Sequence, residues 1–292
     1  MTIGTDRIAG APISWGVCEV PGWGYQVEPE VVLGQMSQLG LAATEFGPDA
    51  FLPVDPFAKA TMLARHGLKA VGGFVPVVLH VDGHDPLPGL RKELDAFVAA
   101  GASTMVLAAG TGVDGYDARP ELDDDGWRRL LTNLDRLAAA TLERGIVPTL
   151  HPHVGTMIEK PAEVDRILTD SHINLTLDTG HLLIGGNDVL ALAASAPDRI
   201  AHTHLKDVRA DLARQVQRGE LTYTQAVSAG MYVPLGTGDV DVAGILAILG
   251  AAGYDGWYVL EQDTILSGPQ DVGAAFDDMA ASLAFLTDAL AP

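Results

Sequence analysis

Residues 146–204 contain three short apolar runs, IVPTLH at 146–151, NLTLD at 174–178 and IAHTH at 200–204. Amphipathic stretches of helical character separate them, at 162–170 and 188–194. The runs are continuous rather than alternating, which is typical of parallel strands that are buried on both faces. Parallel neighbours need a crossover connection, which is usually a helix. This stretch therefore predicts consecutive strand–helix units.

The same alternation extends to both ends of the chain. Further strands are predicted at 8–15, 42–46, 70–79, 104–108 and 257–261, and further helices at 29–39, 55–66, 87–100, 125–144, 242–252 and 274–290. Roughly eight such units predict an α/β fold of the (β/α)8 TIM-barrel class. An open doubly wound sheet is the alternative. Its first strand normally leads into a glycine-rich phosphate-binding turn, whereas GAPISWGVCEVPGWG at 10–24 places aromatic residues there.

We expect one domain over residues 1–292, since the chain contains no linker and no low-complexity segment. The main irregularity is an insertion at 209–238, between the seventh strand and its helix, with two short helical patterns, LARQVQRG and TYTQAVSAG. Loops of this kind lie over the active-site face of a barrel, so the insertion is predicted to form part of a lid or wall.

Charge and composition exclude several classes of protein. The chain has 38 Asp and Glu against 18 Lys and Arg, a net charge of −20, which argues against nucleic acid or a membrane as partner. Its single cysteine, Cys18, excludes an internal disulfide framework and a cysteine-based zinc site. No basic segment followed by an apolar one opens the chain, and no run reaches the ~18 apolar residues of a membrane span. The sequence therefore predicts a cytoplasmic protein.

Titratable residues end most of the predicted strands. In chain order they are Glu45, His80, His151, Asp178, His204 and Glu261. In a barrel these ends meet at one mouth. A single member is equally well explained as a turn or helix-capping residue, as Asp178 in DTGH illustrates. The joint pattern favours a metal site, and imidazoles with carboxylates but no thiolate suit Mn²⁺, Co²⁺, Mg²⁺, Fe²⁺ or Zn²⁺.

Two histidine doublets, His151/His153 and His202/His204, have the spacing that places both members on one side of a strand. We predict that His202 is a buried neutral histidine that is hydrogen-bonded to a neighbour, rather than a ligand. His153 is a candidate for proton transfer, because imidazole titrates near neutral pH.

Further candidates lie near the same mouth. His181 and Glu45 are also candidates for proton transfer. Lys206 can hold a substrate oxygen or stabilise an enolate, although a solvated loop charge is the alternative. We expect substrate contacts from a set of three residues, namely Trp15, His80 and Arg209, with a core position as the alternative for Trp15.

Seven motifs together resemble a known family. They are APISWG, TEFG, LHPHVGT, LDTGHLLIGG, HTHLKDVR, VPLGTGDVD and WYVLEQD, in barrel order along nearly the whole chain. The sequence resembles the xylose-isomerase-like barrel superfamily of sugar isomerases and epimerases, and within it the inosose (2-keto-myo-inositol) dehydratases. The resemblance implies a metal-dependent lyase of inositol catabolism that converts a keto-inositol to a trihydroxycyclohexanedione. It also implies a Mn²⁺ or Co²⁺ cofactor, a small polyol or sugar as partner, and a homo-oligomer.

The resemblance also implies a ligand set. Asp178, His204 and Glu261 match the superfamily's D-T-x-H, H-L-x-D and final-strand glutamate positions, and Glu261 also counts as catalytic. Where many relatives read Glu-x-His, this chain reads His151-Pro152-His153. His151 is then the fourth ligand, unless water takes that place or Glu159 substitutes for it. The departure bears on epimerase chemistry, since related ketose epimerases use that glutamate as an acid and base.

Other functions fit the same sequence pattern. A sugar or sugar-phosphate isomerase or epimerase would use the same metal and an enediolate without losing water. An apurinic endonuclease shares the fold but carries more metal ligands and a basic face. A carbohydrate-binding protein without catalysis, or a barrel that has lost its chemistry, would not need the ligand set.

Overall fold

Eight parallel strands close into a barrel in the computed structural model, which describes residues 5–113 and 115–291. The barrel strands are β1 (Ile8–Gly10), β2 (Ala43–Glu45), β3 (Lys69–Val78), β4 (Thr104–Gly110), β5 (Val147–Leu150), β6 (Asn174–Asp178), β7 (Ile200–Leu205) and β10 (Tyr258–Leu260). Each strand pairs with the next along the chain, β7 pairs with β10, and β10 pairs with β1. The predicted (β/α)8 barrel is therefore confirmed.

Helices surround the barrel. They are α1 (Pro29–Leu39), α2 (Pro56–Arg65), α3 (Leu87–Ala100), α4 (Asp124–Leu142), α5 (Pro161–Asp170), α6 (Thr179–Ile184), α7 (Val189–Ser195), α8 (Ala210–Gln217), α9 (Tyr223–Ser228), α10 (Val242–Ala251) and α11 (Val272–Ala289). Aspartates cap several of them; Asp123, for example, accepts a hydrogen bond from the Gly126 amide at 2.7 Å at the start of α4. Within residues 5–113 and 115–291, no helix combines the length and the apolar character needed to cross a bilayer.

The insertion after β7 forms α8, α9 and a two-stranded ribbon. In the ribbon, β8 (Asp207–Val208) pairs antiparallel with β9 (Tyr232–Val233). The Asp207 carboxylate accepts hydrogen bonds from the amides of Gly236 (2.8 Å), Gly238 (2.9 Å) and Val240 (3.0 Å). This carboxylate fastens the far end of the insertion to the end of β7, which gives the insertion a fixed position beside the barrel mouth.

One local prediction differs from the structure. The first strand ends at Gly10, because Pro12–Trp15 form a 3-10 turn. Trp15 is fully buried in the main core, and its indole nitrogen donates a hydrogen bond to Gln35 of α1. Asp178, for which a turn or helix-capping role was the alternative to a ligand role, caps the short helix α6. The expected single domain over 1–292 stays a prediction, since residues 1–4, 114 and 292 lie outside the described residues.

Candidate metal centre

The four expected metal ligands lie together at the carboxyl ends of the barrel strands. His151 follows β5, Asp178 ends β6, His204 lies in β7 and Glu261 follows β10. His151 Nε2 is 3.2 Å from Asp178 Oδ2, and His204 Nδ1 is 3.4 Å from the same oxygen. His204 Nδ1 is also 3.0 Å from Glu261 Oε2. Four ligand atoms therefore converge from four different strands.

The hydrogen bonds and charges of this cluster suit a bound cation. His204 Nδ1 and Glu261 Oε2 are both buried. Although they lie only 3.0 Å apart, neither atom forms a hydrogen bond of good geometry with the other or with any described residue. Buried polar atoms are normally paired. Glu261 Oε2 faces the Lys206 ammonium at 3.1 Å, whereas His204 Nδ1 has no hydrogen-bond partner among the described residues and lies beside two carboxylates, a position that suits a metal ligand. One atom each from His151, Asp178 and His204 also lies within the mutual distance, 4.8 Å, that one metal ion can span.

Asp178 uses its two carboxylate oxygens for different tasks. Oδ1 accepts hydrogen bonds from the backbone amides of Gly180 (2.9 Å) and His181 (2.7 Å), which caps α6. Oδ2 faces His151 and His204. The capping interpretation and the ligand interpretation of the DTGH motif are therefore compatible, because the cap orients the oxygen that enters the site.

Lys206 is a buried ammonium group among three carboxylates. Its Nζ lies 2.7 Å from Asp263, 3.1 Å from Glu261 Oε2 and 3.3 Å from Asp178 Oδ2, and only 2% of its side chain is exposed. Burial alone would lower the pKa of Lys206, but the facing carboxylates of Asp178, Asp263 and Glu261 raise it well above its ordinary value. Lys206 is therefore positively charged, and it shares two oxygens with the candidate metal ligands.

Glu45 reaches two histidines of β7, a strand that does not neighbour its own strand β2. Its Oε1 accepts hydrogen bonds from His202 Nε2 at 2.8 Å and from His204 Nε2 at 2.9 Å. His202 is fully buried, and burial lowers its pKa, so it is a neutral hydrogen-bonded histidine as predicted. Glu45 also lines the cavity, and its Oε1 is engaged by these two rings.

His153 and His181 stack against each other, with ring centroids 3.6 Å apart. His153 lines the cavity, and its Nδ1 lies 2.7 Å from the Val154 carbonyl oxygen, which can only accept a hydrogen bond. Nδ1 therefore carries the proton in the neutral ring, and Nε2 carries the lone pair. Burial, together with His151 and Lys206, lowers the pKa of His153 to about 3. His181 is buried and does not line the cavity; its nitrogens form no hydrogen bond with the described residues, although Nε2 lies 3.7 Å from Asp263 Oδ2.

Three residues of the site were not predicted. Asp263 accepts a hydrogen bond from Tyr223 and holds Lys206, and the hydroxyl of Tyr223 is 3.0 Å from that of Tyr232. Burial raises the pKa of Asp263, although Lys206 opposes the shift. The two-residue spacing from Glu261 in WYVLEQD was a signal for Asp263. No spacing rule points to Tyr223 or Tyr232, because the tertiary position of the insertion brings them here.

The three expected substrate-binding residues lie outside the cavity. Trp15 is in the core, because the 3-10 turn directs it towards α1. His80 follows the end of β3, and its carbonyl accepts a hydrogen bond from Arg129 of α4. Arg209 is 48% exposed and pairs with Asp211 at 3.4 Å. Their positions do not support the expected contacts. Glu159 accepts a hydrogen bond from the Gly155 amide and shapes its own loop, so it does not replace a ligand.

The cavity above the cluster is acidic and holds about 330 Å³. Its charged or acidic lining residues are Glu19, Glu45, Asp49, Glu93, Lys206, Glu261 and Asp263. No arginine is among the described lining residues, and Lys206 is already paired with carboxylates. The lining therefore suits a small, uncharged and hydroxyl-rich molecule better than an anion.

Sequence comparisons agree with this geometry. The family model described as "Xylose isomerase-like TIM barrel" matches residues 37–288. The inosose dehydratase of Lacticaseibacillus casei is 32% identical over 278 residues, which cover 91% of this chain and 93% of that protein. The inosose dehydratase of Geobacillus kaustophilus (strain HTA426) is 33% identical over 283 residues, which cover 92% of this chain and 91% of that protein.

Solved structures show the same fold at lower identity. An L-ribulose 3-epimerase superposes with a TM-score of 0.70 at 17% identity, covering 97% of this chain and 94% of that one. The IOLI protein with a bound zinc atom superposes with a TM-score of 0.68 at 12% identity, covering 97% and 98%. These likenesses establish a shared architecture.

Proposed function

Because the chain belongs to the xylose isomerase-like TIM barrel family, we propose that it is a divalent-metal-dependent hydro-lyase that removes water from an inosose. An inosose is a cyclic polyol that carries one ketone. The observation that carries the proposal is the convergence of two imidazoles and two carboxylates at the barrel mouth, in a chain that aligns with inosose dehydratases over more than nine-tenths of its length.

The residues present fit a divalent ion. The atoms that would hold it belong to four side chains, namely His151 Nε2, Asp178 Oδ2, His204 Nδ1 and Glu261 Oε2. Nitrogen and carboxylate donors without thiolate suit Mn²⁺ or Co²⁺, which we propose, and also accommodate Zn²⁺. When bound, such an ion supplies a Lewis acid that polarises the ketone and orients the neighbouring hydroxyl groups.

We propose that His153 transfers the proton in the dehydration. Dehydration removes a proton from the carbon beside the ketone and a hydroxyl group from the next carbon. The neutral ring presents Nε2 as a lone pair in a cavity where Nδ1 is already bonded to Val154. The imidazolium formed in this way then returns the proton to the departing hydroxyl group, which leaves as water.

Lys206 stabilises the charge that forms during this step. Loss of the proton leaves negative charge on the former ketone oxygen, and a fixed ammonium group is worth more in a buried site than in water. Asp263 holds the Lys206 ammonium at 2.7 Å, and Tyr223 in turn holds Asp263. The insertion thus contributes indirectly, since it supplies the tyrosine at the end of this chain of contacts.

The test is an assay of metal-stripped protein with 2-keto-myo-inositol, followed by the addition of Mn²⁺ or Co²⁺. We expect metal-dependent loss of one water molecule, detected by mass and by dione absorbance, and loss of turnover in Asp178→Ala and Glu261→Ala. Asp188→Asn is the matched control, since Asp188 caps α7 outside the cavity. Turnover by the metal-free protein would contradict the proposal.

The product also separates the alternatives. A product of unchanged mass would identify a sugar isomerase or epimerase, the activity named for the L-ribulose 3-epimerase that shares the fold. Polyol binding without turnover, and without stoichiometric metal, would identify a binding protein. Each result would replace the dehydratase proposal.

A further inference from the structure

Glu45 reaches the candidate metal centre through its hydrogen bond to His204, and it lines the same cavity as the candidate ligands. It ends β2, whereas His202 and His204 lie in β7, and its hydrogen bonds to both rings cross the barrel interior. β2 and β7 are not neighbours in the barrel, so these bonds contribute nothing to strand pairing. A carboxylate buried in this place needs a reason other than barrel closure, because burial of an acid is costly.

The hydrogen bonds fix the roles of the two His204 nitrogens. An ionised carboxylate only accepts hydrogen bonds, so Nε2 of His204 carries a proton towards Glu45. Nδ1 is then the nitrogen left for a metal ion, and it faces Asp178 Oδ2 at 3.4 Å and Glu261 Oε2 at 3.0 Å. Rotation of the ring would place the wrong nitrogen in the site and break the bond to Glu45.

His202 holds Glu45 in place. Its Nε2 donates to the same Oε1 atom that His204 uses, and its side chain is fully buried. The carboxylate oxygen is therefore held by two donors on one strand, which leaves the Glu45 side chain little rotational freedom.

We propose that Glu45 is a positioning residue of the metal centre, which holds His204 with Nδ1 directed at the ion. This inference rests on the metal dependence in the proposed function but not on the identity of the substrate. It replaces the sequence-based expectation that Glu45 transfers protons in the reaction. Outer partners of metal-bound histidines typically affect metal affinity by about 10- to 100-fold.

The first test is calorimetric titration of metal-stripped protein with Mn²⁺ or Zn²⁺. We expect Glu45→Ala to bind about 10- to 100-fold more weakly than the natural protein. Glu45→Gln keeps an oxygen acceptor without the charge, so its affinity should lie between the two. His202→Gln is the matched control, because it removes the imidazole that donates the second hydrogen bond to Glu45 and leaves the hydrogen bond between Glu45 and His204. Its loss of metal affinity should be the smallest of the three variants. Thermal unfolding identifies any variant that has not folded, and if Glu45→Ala has not, Glu45→Gln decides.

The second test reads the proton itself. In Zn²⁺-loaded protein with ¹⁵N-labelled histidine, the Nε2 proton of His204 should exchange slowly with water, and this protection should be lost in Glu45→Ala. If Glu45 instead transfers protons, Glu45→Ala should bind the metal as tightly as the natural protein does, and its turnover should stay low at every metal concentration. That pattern would overturn the inference.

One competing arrangement is also tested. Glu45, His202 and His204 form a second group whose atoms lie close enough to share an ion. The hydrogen bonds of 2.8 and 2.9 Å account for this group without one. Two ions per chain in the natural protein, with one lost in Glu45→Ala, would show a second metal site and would overturn the positioning role.

Discussion

Lys206 and a bound metal ion would share the same two oxygens, Asp178 Oδ2 and Glu261 Oε2. Two cations at one pair of oxygens repel each other, so we expect Lys206 to weaken metal binding even while it assists the proposed reaction. We expect Lys206→Met to bind Mn²⁺ about 10-fold more tightly while turnover falls by about 10²-fold or more. Calorimetry and steady-state kinetics at saturating metal measure the two effects separately.

Lys160→Met is the control for this prediction, since Lys160 is exposed and does not line the cavity. It removes the same charge from the same chain. If the metal affinity of Lys206→Met falls instead of rising, Lys206 supports the ligands rather than competing with the ion.

A substitution of His153 should affect turnover without affecting metal binding. It lines the cavity, and none of its atoms belongs to the groups of described residues that can hold an ion. We expect His153→Gln to lower kcat by about 10²-fold or more with unchanged metal affinity, as for loss of a proton-transferring group. Kinetics and metal titration of the same preparation check this, with the exposed His84→Gln as control. Weaker metal binding in His153→Gln would show that His153 supports the ligands.

The sequence predicted that four titratable side chains meet at one barrel mouth because barrel geometry is regular, whereas their assignment as ligands came from the family resemblance. Side chains at the carboxyl ends of parallel strands must meet, so His151, Asp178, His204 and Glu261 could be placed together without a structure. Trp15 was expected in the cavity wall because the first strand was predicted to continue to residue 15. The chain instead forms a 3-10 turn at Pro12–Trp15, which directs the side chain into the core. Such a turn has no distinct hydrophobic pattern.

At the scale of elements, the N-terminus of α5 depends on one carboxylate. Glu163 accepts hydrogen bonds from the amides of Glu159 (2.9 Å) and Lys160 (2.8 Å), and it pairs with Arg119 at 2.7 Å. Burial would raise the pKa of Glu163, but Arg119 and the two amides lower it below its ordinary value of 4.5. The ionised form is therefore bound more favourably in the folded state.

This shift predicts a pH-dependent loss of stability in Glu163→Gln. At pH 7 we expect the free energy of unfolding to fall by about 1.5–3 kcal/mol, the usual contribution of hydrogen bonds to a charged group. A group with a lowered pKa stabilises above its unfolded pKa, and that contribution disappears as the pH falls through the folded pKa. The difference between variant and natural protein in urea unfolding should therefore shrink below about pH 4.5.

Glu143→Gln is the control, since Glu143 is exposed and lies at the other end of the neighbouring helix α4. Its effect on the free energy of unfolding should be small and should not decrease as the pH falls. A difference for Glu163→Gln that stays constant down to pH 3 would show that Glu163 contributes through packing and not through its charge.

Regular elements were predictable and the insertion was only partly so. The helices at 29–39 and 87–100 and the strand at 174–178 have the predicted bounds, because apolar periodicity and glycine caps such as Gly101 mark them. The ribbon of β8 and β9 was missed. Each of its strands has two residues, and their pairing depends on the Asp207 carboxylate, which gathers backbone amides from a distant loop.

At the scale of the whole molecule, charge and cavity chemistry point to the same kind of substrate. The net charge of −20 and the acidic cavity lining both oppose an anionic ligand. The bound divalent ion would offset only part of the lining charge, because several of the lining carboxylates are not among its candidate ligands. Asp49 and Glu93 are exposed members of that lining and remain free to repel an approaching anion.

We therefore expect the metal-loaded protein to bind an inositol monophosphate at least about 10-fold more weakly than the uncharged inositol, because each close charge pair near a protein surface is worth on the order of a kcal/mol or more. The difference should narrow at high salt, where the Debye length falls to about 3 Å at 1 M. It should also narrow in the double variant Asp49→Asn/Glu93→Gln, which removes two cavity charges and leaves the ligands intact. Competitive inhibition constants at low and high ionic strength measure both effects. If the inositol monophosphate binds as tightly as inositol or more tightly, the metal ion rather than the carboxylate lining determines which charge the cavity accepts. Sugar phosphates would then be the substrates to test.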